Sequence, residues 1–131
     1  MPTAPKRFRL SSQPTRQAQR KVYDERRGSA TSRGYNHRWR KAARTFLQRH
    51  PLCLGCEAAG LVIEASLVDH VEPHRGDQSK FWDSKHWQPC CQWHHDVVKQ
   101  RLETMWDRGD IGADALWLNS SIALRLADNL R

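Results

Sequence analysis

Histidine and cysteine residues concentrate in the middle and second half of this chain, at spacings that suit metal binding. Cys53 and Cys56 are separated by two residues, and Cys91 and His94 repeat that gap. Two thiolates on one turn form a common half-site for tetrahedral zinc, and a Cys-x2-His pair supplies the other half. We therefore predict a structural Zn²⁺ held by Cys53, Cys56, Cys91 and His94, with Cys90 in place of Cys91 as the competing assignment.

A second group of chemistry-bearing side chains remains once these four are assigned. It consists of Asp69, His70, His86 and His95. Imidazole titrates near pH 6.5, so a neutral histidine can accept a proton from water near neutrality. A carboxylate and an imidazole can also share a divalent cation and leave coordination positions open. This combination suits hydrolysis of a phosphodiester bond.

The spacing and order of these residues resemble the HNH endonuclease family. Three runs carry the likeness: Leu67–Asp77 (LVDHVEPHRGD), Phe81–Gln88 (FWDSKHWQ) and Cys91–Lys99 (CQWHHDVVK). The upstream Arg33–Trp39 segment and the Cys53/Cys56 pair look like those of small tailed-bacteriophage HNH proteins, whose genes often neighbour the packaging terminase. The resemblance covers roughly residues 33–108.

The resemblance implies roles for individual residues. It makes His70 the general base, and Asp69 and His95 the ligands of a catalytic cation such as Mg²⁺, Mn²⁺, Ni²⁺ or Zn²⁺. His86 stands where the family usually has asparagine, in a position that holds the loop orienting the base, and we count it with His70 in the catalytic set. His95 and Lys99 are four residues apart and share a helical face, so Lys99 is a candidate for contact with a DNA phosphate.

The resemblance also implies a fold of the α+β class. Its centre would be a ββα-metal (His-Me finger) core with the zinc site, flanked by helices. We expect three parts: a basic, mostly disordered arm over residues 1–33, a nuclease domain over 34–109 and a C-terminal helical extension over 110–131.

The pattern of apolar residues predicts the elements that must position these groups. Helical spacing predicts a helix over 37–50, ended by Pro51, and another from Gln92 to Arg108, ended by Gly109. Runs at Leu61–Ile63 and Leu67–Val71 predict short strands, with a return strand at Trp87-Gln88. A final helix is expected within 113–127, broken near residues 119–121. We expect the tryptophans at 82, 87 and 93 to fill the core, with stacking on bases as the alternative.

Charge is distributed unevenly along the chain. Residues 1–44 hold 13 of the 22 basic residues but only two of the 14 acidic ones, whereas the whole chain carries a net +8. Such an arm suits contact with the phosphates of DNA, which adds affinity without sequence selectivity. We name Arg38, Arg40 and Lys41 as nucleic-acid-binding candidates beside Lys99.

Composition and charge limit the classes of protein to consider. The chain is polar, with a mean hydropathy of −0.83, and has neither an apolar run of membrane-spanning length nor the apolar core of a signal peptide. We expect a cytoplasmic protein, in a bacterial host if it is phage-encoded.

The expected function is metal-dependent cleavage of DNA with low sequence specificity, by nicking or double-strand cutting, in phage DNA packaging beside a terminase. The alternatives are a non-catalytic zinc module that binds nucleic acid and a regulator of the terminase that docks through residues 113–130. The oligomeric state is not predicted.

Overall fold

The structure is a computed structural model that describes residues 15–27 and 34–131. Its helices and strands are, in chain order, α1 Arg16–Arg27, α2 His37–Arg49, α3 Leu54–Ala58, β1 Leu67–His70, α4 Gln78–Phe81, β2 Trp87–Cys90, α5 Gln100–Asp107 and α6 Ser121–Leu130. Short 3-10 turns lie at Ser84–His86 and Ala113–Leu116, and a π-helical segment, His94–Lys99, leads into α5. The mixture of helices and a small antiparallel sheet confirms the predicted α+β class.

The sheet is a two-stranded hairpin that carries the candidate site. β1 pairs with β2 in antiparallel register, with Asp69 opposite Gln88 and His70 opposite Trp87. Beyond β1, the Val71 amide donates to the His86 carbonyl at 2.9 Å and closes the base of a long loop. The return strand at Trp87 is therefore confirmed. The strand expected at Leu61–Ile63 is wrong, because these side chains are exposed and the segment forms only an isolated bridge, Leu52 with Glu64.

Helix α2 packs on one face of the hairpin through an aromatic cluster. The Asn36 side chain accepts a hydrogen bond from the Trp39 amide at 3.1 Å and caps the helix. The apolar stripe that predicted this helix points inward, and Trp39 packs with Val68, Phe81 and Trp87. The hairpin thus presents His70 to the rings of this cluster.

The other core lies between the zinc-type cysteines and the C-terminal third of the chain. Leu102, Leu116 and Leu118 are completely or almost completely buried there, together with Ala123 and Ala127 of α6. Gly109, with φ of 78°, ends α5 in a left-handed conformation and turns the chain back. Because α6 uses its apolar face inside this core, the C-terminal helical extension predicted over residues 110–131 packs against the rest of the fold.

Helix α1 lies within the basic arm over residues 1–33, whose overall disorder stays a prediction. Residues Arg16–Arg27 contain neither glycine nor proline, and the Thr15 hydroxyl accepts from the Ala18 amide at 3.0 Å at the helix start. Local propensity and a cap therefore give a helix where polar composition alone indicated none. The rest of the 1–33 arm, residues 1–14 and 28–33, lies outside the described residues.

Candidate metal centre and active-site cleft

The structure brings together all four side chains that the sequence assigned to zinc. The ligand atoms of Cys53, Cys56, Cys91 and His94 all lie within 4.8 Å of one another. His94 Nδ1 is 3.5, 3.4 and 3.4 Å from the sulfurs of Cys53, Cys56 and Cys91 respectively, and the Cys56 and Cys91 sulfurs are 3.9 Å apart. Tetrahedral zinc would need about 3.8 Å between sulfurs and about 3.6 Å between sulfur and nitrogen. This Cys3His cluster therefore fits a structural zinc ion.

Cys90 is not one of the residues whose ligand atoms form that cluster. It is fully buried in β2, and burial together with the nearby Asp69 carboxylate raises the pKa of its thiol. The preference for Cys91 over Cys90 agrees with this geometry. Burial and the neighbouring Cys53 raise the pKa of Cys56 to about 12, so this thiol resists ionisation until a cation joins it.

The His94 ring is held in place by a close approach of α3. Burial lowers the pKa of His94 and favours the neutral imidazole that a metal ligand must present. A Cβ atom on Gly55 would lie 2.3 Å from His94 Cδ2 and 2.5 Å from Nε2. Only glycine therefore leaves room for the ring in its observed position.

A separate cleft of about 720 Å³ contains the second group of candidate residues. Asp69, His70 and His95 all line it. As expected for neighbours on a strand, Asp69 and His70 diverge: Asp69 reaches the π-helical segment, whereas His70 packs against α2 and α4. The cleft therefore collects three of the four residues assigned to catalysis.

Asp69 and His95 face each other across the cleft. Asp69 Oδ1 is 3.9 Å from His95 Nε2. Asp69 Oδ2 is engaged by the Gln88 side-chain amide at 2.9 Å and by Lys99 Nζ at 3.0 Å. His95 Nδ1 lies 2.9 Å from Asp96 Oδ1, a contact that fixes the ring with Nε2 toward Asp69. Two metal–ligand bonds of about 2.1 Å span at most about 4.2 Å, so the pair fits the donor set of one divalent cation.

His70 is a buried and neutral imidazole. Its ring stacks on Trp39 with centroids 4.8 Å apart and planes inclined by 22°. Nε2 donates to the Phe81 carbonyl at 2.9 Å, so in the neutral ring the lone pair belongs to Nδ1. Burial lowers the pKa of His70 to about 4, with smaller contributions from His74 and Lys99. Near neutral pH this ring can accept a proton.

His86 lies away from the three other residues of the predicted catalytic set. Its side chain is exposed, and Nδ1 contacts Asp83 Oδ2 at 2.7 Å. Its carbonyl accepts from the Val71 amide, immediately after His70. Because the structure does not bring the His86 ring to the cleft, its place is at the base of the loop and not beside the reacting atoms.

The prediction that Lys99 contacts DNA is wrong. The side chain is 1% exposed, and Nζ lies 2.9 Å from the His70 carbonyl, 3.0 Å from Asp69 Oδ2 and 2.8 Å from Glu103 Oε1. An ammonium group has three N–H donors, and these three acceptors use them all. Helical spacing correctly placed Lys99 on the His95 side, but the side chain turns inward and supports Asp69.

The other three cations named from the sequence are exposed on α2. Arg38 and Lys41 line a groove between that helix and the segment from Trp82 to Trp87, whereas Arg40 lies outside the groove lining. Their contact with nucleic acid stays a prediction. Tyr35 and His74, which are not among the predicted site residues, also line the cleft, and Tyr35 Oη is 3.0 Å from His74 Nε2. The sequence signal for them is the aromatic and histidine content of the segments flanking α2 and β1.

Within the described residues, no helix combines the length and apolar character needed to cross a membrane.

Neither a protein-family model nor a curated protein sequence matches the chain. Among solved structures, the chain is similar to the HNH endonuclease of the deep-sea thermophilic bacteriophage GVE2, crystallised with a manganese ion. The two share 26% sequence identity over 70% of this chain and 98% of that chain, with a TM-score of 0.47.

Proposed function

We propose that this protein is a metal-dependent endonuclease of the HNH type that hydrolyses phosphodiester bonds in DNA. The observation that carries the proposal is one cleft in which Asp69 Oδ1 and His95 Nε2 stand 3.9 Å apart beside a neutral, buried His70. In chain order β1 and β2 are followed by the π-helical segment and α5. This order of two strands and a helix supports the proposal of a ββα-metal core.

His70 is the general base of the proposed reaction. Its Nε2 proton is committed to the Phe81 carbonyl, which also accepts from Trp87 Nε1 at 3.0 Å, so the tautomer and the ring plane are fixed. Nδ1 accepts the proton of the attacking water, and such proton transfer contributes about 10²- to 10⁴-fold to a rate. The lowered pKa keeps the base unprotonated near neutrality at the expense of its basicity.

Asp69 and His95 would hold the divalent cation. When bound there, a cation would supply Lewis-acid stabilisation of negative charge on the phosphate and the departing oxygen. Lys99 and Gln88 hold Asp69 Oδ2, which leaves Oδ1 directed at His95. Asp96, itself bound by the Gln92 side-chain amide at 2.8 Å, fixes the other side of the His95 ring.

The Cys3His cluster has a structural role in this proposal. Four protein ligands complete a tetrahedral zinc site and leave no position for water or substrate. The cluster ties α3 to the start of the π-helical segment, so His94 and its neighbour His95 serve different ions. The position of His95 in the cleft thus depends on the zinc ligand His94 beside it.

Cleavage of supercoiled plasmid separates this enzyme from a non-catalytic zinc module. Purified protein is incubated with plasmid without added metal and with Mg²⁺, Mn²⁺, Ni²⁺ or Zn²⁺. We expect conversion to open-circular or linear DNA with at least one of these ions. No conversion with any of them, in protein that retains one zinc per chain, would favour the binding module.

Two finer features remain predictions from the family resemblance. They are work in phage DNA packaging beside a terminase and the choice between nicking and double-strand cutting. Binding to purified terminase tests the first, and the ratio of open-circular to linear product at early times tests the second.

A further inference from the structure

A second concave surface, the α2 groove, lies between α2 and the segment from Trp82 to Trp87. It encloses about 670 Å³, and its three Lys/Arg side chains are Arg38, Lys41 and Arg49. Helical spacing puts these three on one side of the helix, over about 16 Å of its length. The ten residues that line the groove include no aspartate or glutamate. Among the described residues, none of the three cations forms an ion pair with a carboxylate. The groove therefore offers unneutralised positive charge.

Aromatic rings form the remainder of the α2 groove. Phe46 and Trp82 are partly exposed there, and Trp87 contributes from the strand behind them. The Arg38 guanidinium lies 4.1 Å from the centre of the Trp82 ring. Planar guanidinium groups and indole rings are the surfaces on which unpaired bases stack.

The Trp39 ring lies between the α2 groove and the catalytic cleft and contacts residues that line both. Its ring stacks on His70, which lines the cleft, and lies edge-on to Trp82 and Trp87, which line the groove, at 6.0 and 5.1 Å between centroids. A DNA strand that extends from a phosphate in the cleft therefore has a basic, aromatic path close by.

We propose that the α2 groove binds unpaired nucleotides of a DNA strand adjacent to the phosphodiester in the cleft. Arg38, Lys41 and Arg49 hold the phosphates, and a base stacks on the Trp82–Arg38 surface. A duplex would use the cations but would keep its base faces inside its own stack, so it would leave the rings of a concave groove without a partner. The inference rests on the proposed nuclease function and makes its substrate DNA with a single-stranded segment, such as a flap, gap or frayed end.

Binding of short oligonucleotides tests the proposal. The probes are a fluorescein-labelled 12-nucleotide single strand of mixed sequence, the blunt duplex of that sequence and the matching RNA. Affinities are measured by fluorescence polarisation over a range of salt concentrations without added divalent cation, and gels verify that the probes stay intact. The variants are Lys41→Gln/Arg49→Gln and a matched pair, Arg44→Gln/Arg125→Gln, which removes two exposed charges outside the groove.

We expect the wild-type protein to bind the single-stranded DNA more tightly than the duplex. The Lys41→Gln/Arg49→Gln variant should lose about tenfold or more in affinity for the single strand. The slope of its log affinity against log salt concentration should fall in magnitude by about 1.4, because two phosphate contacts are lost. The matched pair should change single-strand affinity by less than about twofold. Trp82→Leu should weaken single-strand binding about fivefold or more, the smaller end of a lost stacking contact, whereas Trp82→Phe should retain part of it and controls for packing.

Several results would overturn the proposal. They are equal or tighter binding of the duplex, equal losses in the two charge pairs, and tighter binding of the RNA. If the protein cleaves plasmid but the groove substitutions leave single-strand binding unchanged, the α2 groove is not the binding site and the proposal of a nuclease still stands. Groove-dependent single-strand binding without cleavage of any DNA would support the binding site and refute the nuclease.

Discussion

Replacing Gly55 by alanine tests whether the Cys3His cluster is a zinc site on which the fold depends. The added Cβ would lie 2.3 Å from His94 Cδ2, so the ring or α3 must retreat by about 0.7 Å even to reach a tight contact of 3.0 Å. Zinc–ligand distances tolerate only about 0.2 Å. Alanine otherwise favours a helix, so any loss of stability must come from the displaced ring and not from the α3 backbone.

The size of the effect follows from that displacement. Disturbing the support of a metal ligand typically weakens metal binding by about 10- to 100-fold, or roughly 1.4 to 2.7 kcal/mol. In a domain of this size each kcal/mol shifts Tm by about 4–8 °C, so Gly55→Ala should melt at least about 5 °C below the wild type. Gly112→Ala is the matched control, because its φ is −83° and its added Cβ would meet nothing within 4 Å.

The assay combines competition for Zn²⁺ with a chromophoric chelator and thermal unfolding followed by circular dichroism. We expect Gly55→Ala to lose zinc to the chelator at a concentration that leaves Gly112→Ala loaded, and to unfold earlier. Identical zinc affinity and identical melting in the two variants would refute the reasoning. Unchanged circular dichroism after verified removal of zinc from the wild type would refute the structural role of the metal.

Two further predictions concern the groups around Asp69. Lys99→Met should lower the free energy of unfolding by about 3 kcal/mol, because it leaves the buried Asp69 carboxylate without its cation. Its salt slope for DNA binding should match the wild type, whereas loss of a phosphate contact would lower the slope by about 0.9. The pH dependence of stability should carry a contribution from His70, whose pKa is about 4 when folded against 6.5 when unfolded. The unfolded state binds more protons between these values, so stability is complete above pH 6.5 and falls as the pH drops, by about 2 kcal/mol between pH 7 and pH 5. Urea titrations at saturating zinc should show a smaller fall for His70→Phe, and an equal fall would contradict the assignment.

The zinc-type cluster was the part of the site most accessible from sequence. Short gaps between ligands, such as Cys53 to Cys56 and Cys91 to His94, determine by local geometry which atoms can meet. The approach of Asp69 to His95 depends on the hairpin register and on the following helix, and the family resemblance supplied that pairing. Spacing alone would not have placed the two atoms 3.9 Å apart.

The sequence was less informative where burial decides a role. Lys99 lies on the expected face, but a side chain with four methylene groups can point outward or fold inward, and three acceptors draw it in. Leu61–Ile63 has the composition of a strand, but within residues 15–27 and 34–131 it joins no sheet, and the Cys53 amide donates to the Ile63 carbonyl beside the isolated bridge of Leu52 with Glu64. In α1, composition indicated disorder, whereas the cap at Thr15 and the absence of helix breakers favoured a helix.

The rate of plasmid cleavage by His70→Ala, compared with His86→Ala, tests the central claim most directly. Both proteins are assayed with the best divalent cation after their zinc content and circular dichroism are matched to the wild type. We predict that His70→Ala loses about 10²-fold or more of the rate and that His86→Ala, whose ring lies outside the cleft, loses less than about tenfold. A rate of plasmid cleavage by His70→Ala equal to that of the wild type would contradict the role of His70 as general base.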